Sequence, residues 1–221
     1  MTYIAYAGWG EGAGLEISFR SSATSADSAT ITAPADIVAG DFLILAQYST
    51  NTDSTTAPTA VNPADWTNEF SDGFSGASWG TRFMMSWKIA VGSEASSSIT
   101  GMDDNDDSKV MLVFKGTSAI AAALSVDKSI EHTAANPALQ SITSGSGSVP
   151  FIVFGFYAGA GPVPGESMSP TEDGSVSSTA STSSEMVVFY KIYNSAPANV
   201  DVDMGDSGGN NCLAGCYVQL S

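Results

Sequence analysis

The chain is 221 residues long, 43% hydrophobic and 10% aromatic, with only 14% of residues charged, which is enough apolar matter for a packed core and excludes disorder throughout. Its 23 Asp and Glu against 7 Lys and Arg leave a net charge of −16, which opposes attraction to a phosphate backbone or an anionic bilayer, so neither nucleic acid nor a membrane is an expected partner. No stretch approaches the roughly 20 apolar residues of a membrane helix; the longest apolar run, Val149 to Ala158, is broken by Pro150 and Gly155.

In chain order, residues 1–14 read as an N-terminal arm. The arm has no basic n-region and no long apolar stretch, so it does not read as a secretory signal and cytoplasmic synthesis is expected. Strands follow near Leu15 to Phe19, Ala29 to Ala33, Phe42 to Tyr48, Trp66 to Phe70, Arg82 to Val91, Ser97 to Thr100 and Lys109 to Lys115, separated by Gly, Ser, Thr, Asn, Asp and Pro clusters. A joint lies at Gly116 to Ala121, without a long Pro or Ser spacer, so the parts on either side are expected to pack together. Beyond it come strands at Phe151 to Tyr157, Met186 to Tyr193 and Cys212 to Leu220. No segment carries a long capped pattern of period 3.6, and the class is all-β.

The two parts match each other. Phe83 to Ile89 aligns with Met186 to Ile192 at an offset of 103, a match that continues to Val110 on Leu213 and Phe114 on Tyr217. Upstream, Phe42, Ile44, Ala46 and Tyr48 meet Phe151, Val153, Gly155 and Tyr157 at an offset of 109. The expected architecture is therefore two tandem antiparallel β-sandwich modules, immunoglobulin-like or jelly-roll-like, related by internal duplication and spanning residues 15–117 and 118–221.

Chemistry is sparse. The single histidine, His132, sits in a polar stretch and is expected on a surface loop rather than as a base. Gly12 and Gly14 form a Gly-rich turn without a phosphate-binding lysine. Asp65, Glu69, Asp72, Glu166, Glu172 and Asp173 are the carboxylates that a sugar-cleaving pair would draw on. Asp103, Asn105 and Asp107 begin like a calcium loop, but Ser108 stands at its sixth position and Phe114 at its twelfth; a solvated turn is expected, with no metal and no cofactor. Cys212 and Cys216, about 13 Å apart if on one strand, are too far for a disulfide and read as buried hydrophobes. Trp9, Trp66 and Trp79 could stack on a sugar, although Trp66 is expected to cover the end of a sandwich and Trp87 to lie in the core.

Gly40-Asp41 before the apolar strand Phe42 to Ala46, then Pro63-Ala64-Asp65-Trp66-Thr67, then Trp87-Lys88-Ile89-Ala90, resembles an order of motifs found in virion proteins of tailed bacteriophages. The resemblance covers roughly Ala35 to Ala90; in the second part Val149-Pro150 and Ser167-Met168-Ser169 stand where the first two motifs would be. It implies a non-enzymatic virion component, a capsid decoration protein first and a tail-attached adhesin or glycan-binding fibre protein second, with other virion proteins and further copies of itself as partners. The residues expected to dock are Tyr3, Ile4, Tyr6 and Trp9, which have no duplicate in the second part.

Overall fold

A computed structural model describes residues 14–51, 55–75, 80–102, 106–133, 150–160, 168–169, 171–180, 184–195, 203–204 and 211–221. Among the described residues there is no helix, and every ladder is antiparallel. The first part holds β1 (Ile17–Ala26), β2 (Thr30–Thr32), β3 (Phe42–Asn51), β4 (Thr67–Ser75), β5 (Gly80–Ile89), β6 (Ser98–Thr100) and β7 (Asp106–Gly116). These are the seven strands expected there. The second holds β8 (Ala123–Thr133), β9 (Phe151–Ala160), β10 (Met168–Ser169), β11 (Gly174–Thr179), β12 (Ser184–Tyr193), β13 (Asp203–Met204) and β14 (Asn211–Leu220).

Two five-stranded sheets dominate, ordered β1-β7-β3-β5-β4 and β8-β14-β9-β12-β11, and two-stranded sheets pair β2 with β6 and β10 with β13. Taken in chain order, the long strands of the two parts occupy the same places in their sheets. Each first strand is also bulged at the same point of its ladder: Arg20 is the extra residue after Phe19 pairs with Phe114, and Val126 after Ser125 pairs with Val218. A bulge bends its strand and sharpens the twist, so the two edges curve alike.

The central strands are apolar on both faces because both faces are buried. From β3, Phe42, Ile44, Ala46 and Tyr48 point into a core that also takes Ile152, Phe154, Phe156 and Ala158 from β9. The alternate residues Leu43 and Leu45 face the opposite way, into a cluster with Ile31, Ile99 and Trp66 under the β2–β6 pair. Phe151, Val153 and Tyr157 likewise face outward, with Met168 of β10. Each part is thus a five-stranded sheet with a two-stranded cover, and the largest core lies between the parts. The layering differs from two self-contained sandwiches side by side, because among the described residues the inner face of each large sheet packs against the inner face of the other.

Rings knit that core. Phe114 meets Tyr190 at 5.2 Å and Phe154 at 5.6 Å in edge-on contacts, Phe83 lies 5.3 Å from Phe156, and Phe19 stacks on Tyr190 at 5.2 Å. The edges cross in opposite order, β1 over β11 and β4 over β8. Ser178 Oγ donates to the Ser25 carbonyl at 2.9 Å at one edge, and Lys128 Nζ to the Glu69 carbonyl at 2.7 Å at the other.

The expected matches of β3 with β9 and of β7 with β14 are each displaced by one position in the ladders. Phe42 pairs with Ile89, and the ladder places Ile152 opposite Ile192. The counterpart of Phe42 is therefore Ile152, whereas Phe151 lies on the outer face. Likewise Val218 holds the place of Phe114, and Tyr217 points outward. Met85, Trp87 and Ile89 of β5 and Val188, Tyr190 and Ile192 of β12 all turn to the central core.

Candidate functional site

A groove of ≈ 560 Å³ lies outside the first large sheet, between residues 61–66 and residues 93–100. One wall is a turn in which Trp66 N–H donates to the Pro63 carbonyl at 3.2 Å, with Asp65 in the left-handed region at φ 64. The turn drives the Trp66 indole into the cluster beneath β2 and β6, leaving it 8% exposed. Asn62 fastens the same wall, donating from Nδ2 to the Trp66 carbonyl at 2.7 Å and accepting from Ser86 Oγ through Oδ1.

The other wall is organised by Glu94. Its carboxylate accepts the Val91 and Gly92 N–H groups at 3.1 and 2.9 Å and lies 2.9 Å from Lys88 Nζ. Burial pushes the Glu94 carboxyl upward, but the Lys88 ammonium and the backbone donors outweigh it and hold the group below its ordinary value. Among the described residues that line the groove, the charged pair Lys88 and Glu94 neutralise each other, and the rest is hydroxyl, amide and apolar surface.

Other motif residues have the same bracing character. Gly40, at φ +87, brings the chain against Ala119, where an added Cβ would come within 2.5 Å. Asp41 then receives Arg20 in a two-pronged contact, Nε at 2.9 Å and Nη2 at 3.2 Å, and the Val38 N–H at 2.9 Å. Trp87 donates from Nε1 to Glu69 at 3.3 Å, and Glu69 also holds Lys128 at 2.9 Å across the two sheets.

The candidate carboxylates are not gathered. Glu69 and Asp72 lie on β4 at one edge of the sandwich, whereas Asp173, which precedes β11 at the opposite edge, is bound to Lys191 at 2.6 Å. Glu166 lies outside the described residues.

The expected solvated turn at Asp103 to Asp107 is corrected at its last residue, 103–105 being outside the described residues. Asp107 is on β7 and 1% exposed, and its carboxylate lies 2.6 Å from the fully buried Lys109 ammonium. No metal-binding group of three or more ligands occurs among the described residues. His132 is likewise not in a loop, but on β8 opposite Cys212. Cys212 and Cys216 share β14, both buried and neither in a disulfide, and burial pushes both thiols well above their ordinary range.

Two stretches spell G-x-S-x-G against the expectation of no such elbow, Gly76-Ala77-Ser78-Trp79-Gly80 and Gly205-Asp206-Ser207-Gly208-Gly209, the second of which lies outside the described residues. A nucleophile elbow needs a strand running into a helix. The first joins two antiparallel strands, with Ser75 paired to Gly80, and residues 76–79 lie outside the described residues. The expected docking residues Tyr3, Ile4, Tyr6 and Trp9 also lie outside them. No family model, no curated protein and no solved structure matches this chain.

Proposed function

We propose that this chain is a non-catalytic structural component of a repeated assembly, a capsid decoration protein of a tailed phage, and that its two parts arose by internal duplication. The observation that carries the reading is the work done by the motif residues. Gly40, Asp41, Trp66, Trp87 and Lys88 each brace backbone, a neighbouring strand or the outer cluster. A pattern made of braces is what a shared scaffold would keep, and this supports reading the resemblance to phage virion proteins as one of architecture. Duplication is supported by the common strand order and the matched bulges of the two large sheets.

On this reading the chain meets other virion proteins and further copies of itself, and Tyr3, Ile4, Tyr6 and Trp9 supply apolar anchors from the arm. The test is a phage particle assembled with the full chain and with a chain lacking residues 1–10, read by quantitative mass spectrometry and by imaging of the particle surface. Full-length chain at a fixed number of copies per particle, with the truncated chain folded but absent, is the expected result. Full-length chain found only free in the lysate would overturn the virion assignment, and normal incorporation of the truncated chain would overturn the docking role of the arm.

A further inference from the structure

The β2–β6 pair has one edge satisfied and one open. Gly101 N–H donates to the Ala29 carbonyl at 2.9 Å and Ala33 N–H to the Ser97 carbonyl at 2.9 Å, two residues to either side of the Ile31–Ile99 pair. Hydrogen-bonded pairs alternate along an antiparallel ladder, so Ile31 and Ile99 bond each other, and the backbone groups of Thr30, Ser98 and Thr100 point away from the neighbouring strand. On the β2 side Thr30 is satisfied, its N–H donating to Ser28 Oγ at 3.2 Å and its carbonyl accepting from Ser25 Oγ at 2.8 Å. On the β6 side the N–H and carbonyl groups of Ser98 and Thr100 have no partner among the described residues, and they look into the groove whose far wall is residues 61–66. No charge and no bulge blunts this edge, and such an edge accepts an added strand.

We propose that the groove is a strand slot and that its occupant is the arm of the same chain, residues 2–9 lying antiparallel to β6. Reach allows it. β1 begins with Ile17 opposite Gly116, and Phe42 stands opposite both Phe114 and Ile89, so Gly14 and the Lys88–Glu94 end of the groove lie at one end of the first large sheet. From β1 to β5 is three strand spacings, about 14 Å, whereas residues 1–13 extend to about 43 Å. β6 leads away from that end, since Met102 N–H bonds Gln47 farther along β3; an arm that comes down the groove to Gly14 therefore runs antiparallel to it. Charge agrees, because residues 1–10 carry no charged side chain and Lys88 and Glu94 neutralise each other in the groove. The segment is tethered beside the slot it fills, so two copies of −16 need not approach, and effective concentration holds a contact too small to retain a separate partner. On the assembly reading, the slot stows Tyr3, Ile4, Tyr6 and Trp9 until the arm leaves for another virion protein. It rests on that reading for this role alone, since the contact is measured on the purified chain and can fail by itself.

The experiment is residue-resolved amide hydrogen exchange of the full chain and of a chain lacking residues 1–10. Ser98 and Thr100 should exchange about tenfold faster without the arm, the effect of about one net hydrogen bond each, while Ile99, bonded to Ile31, stays unchanged. Protection in the full chain should be the same at low and high protein concentration. Equal exchange of Ser98 and Thr100 in the two chains overturns the proposal, and so does protection that grows with concentration, which would place another copy's arm in the slot. Full-length Thr100→Pro decides the matter if truncation also frees Ile99: it removes a groove-facing N–H and leaves the β2 ladder intact. Chymotrypsin should then cut after Tyr3, Tyr6 and Trp9 about fivefold faster than in the wild type. Wild-type cleavage as fast as the variant's would show that the arm does not occupy the slot.

Discussion

Lys109 is the residue whose surroundings depart furthest from its type. Its side chain is fully buried, its ammonium lies 2.6 Å from Asp107 and donates to the Ser28 carbonyl, and Asp107 accepts the Ser28 N–H at 3.1 Å. Removing two charges from water costs several kcal/mol, which the pair recovers only while both members are present. Lys109→Met should lower stability by about 3–5 kcal/mol, because Asp107 would be left charged without Lys109. Combining it with Asp107→Leu should lose less. Denaturant unfolding checks both, and a double variant no more stable than the single one would show that the pair is not the source of the loss. Nothing in the run Asp103 to Asp107 distinguishes this arrangement from a wet turn, since the deciding fact is that residues 107 and 109 share a covered face of β7.

At the scale of elements, the loop after β5 is held by one carboxylate. Glu94 binds Lys88 and two backbone N–H groups, and its carboxyl lies below the ordinary 4.5. A group whose folded value is depressed stabilises the protein above its unfolded value, and that contribution is lost as pH falls through the folded one. The loss should therefore begin below about pH 4.5. Glu94→Gln should cost about 1.5–3 kcal/mol at neutral pH, the usual size for hydrogen bonds to a charged group, and should flatten that part of the acid limb in a melting series. Strand placement in the first part was legible, because runs such as Phe42 to Tyr48 and Ser97 to Thr100 stand between turn residues. Strand parity was legible only where one face is less apolar. In β5 and β12 the alternation identifies the inner face. In β3 and β9 it does not, since Phe151 and Ile152 are equally apolar and equally buried, and a one-residue slip reverses the faces.

For the whole molecule, the central core takes residues from both parts, with Phe114 against Phe154 and Tyr190, and Met85 Sδ 3.6 Å from Cys216 Sγ. Neither large sheet can keep its inner face dry without the other, so unfolding should be a single cooperative transition with calorimetric and van't Hoff enthalpies in agreement. Two resolved transitions, each matching one part, would contradict a shared core. What the sequence by itself determined was the class, the seven strands of the first part and the inner faces of β5 and β12, because turn chemistry and period-2 alternation are local. What only the tertiary structure decided was which apolar face meets which, that Lys109 and Asp107 are buried together, and that β4 and Asp173 lie at opposite edges. Those facts depend on how two doubly apolar sheets stack, and hydrophobic attraction has no direction by which a chain could announce its partner.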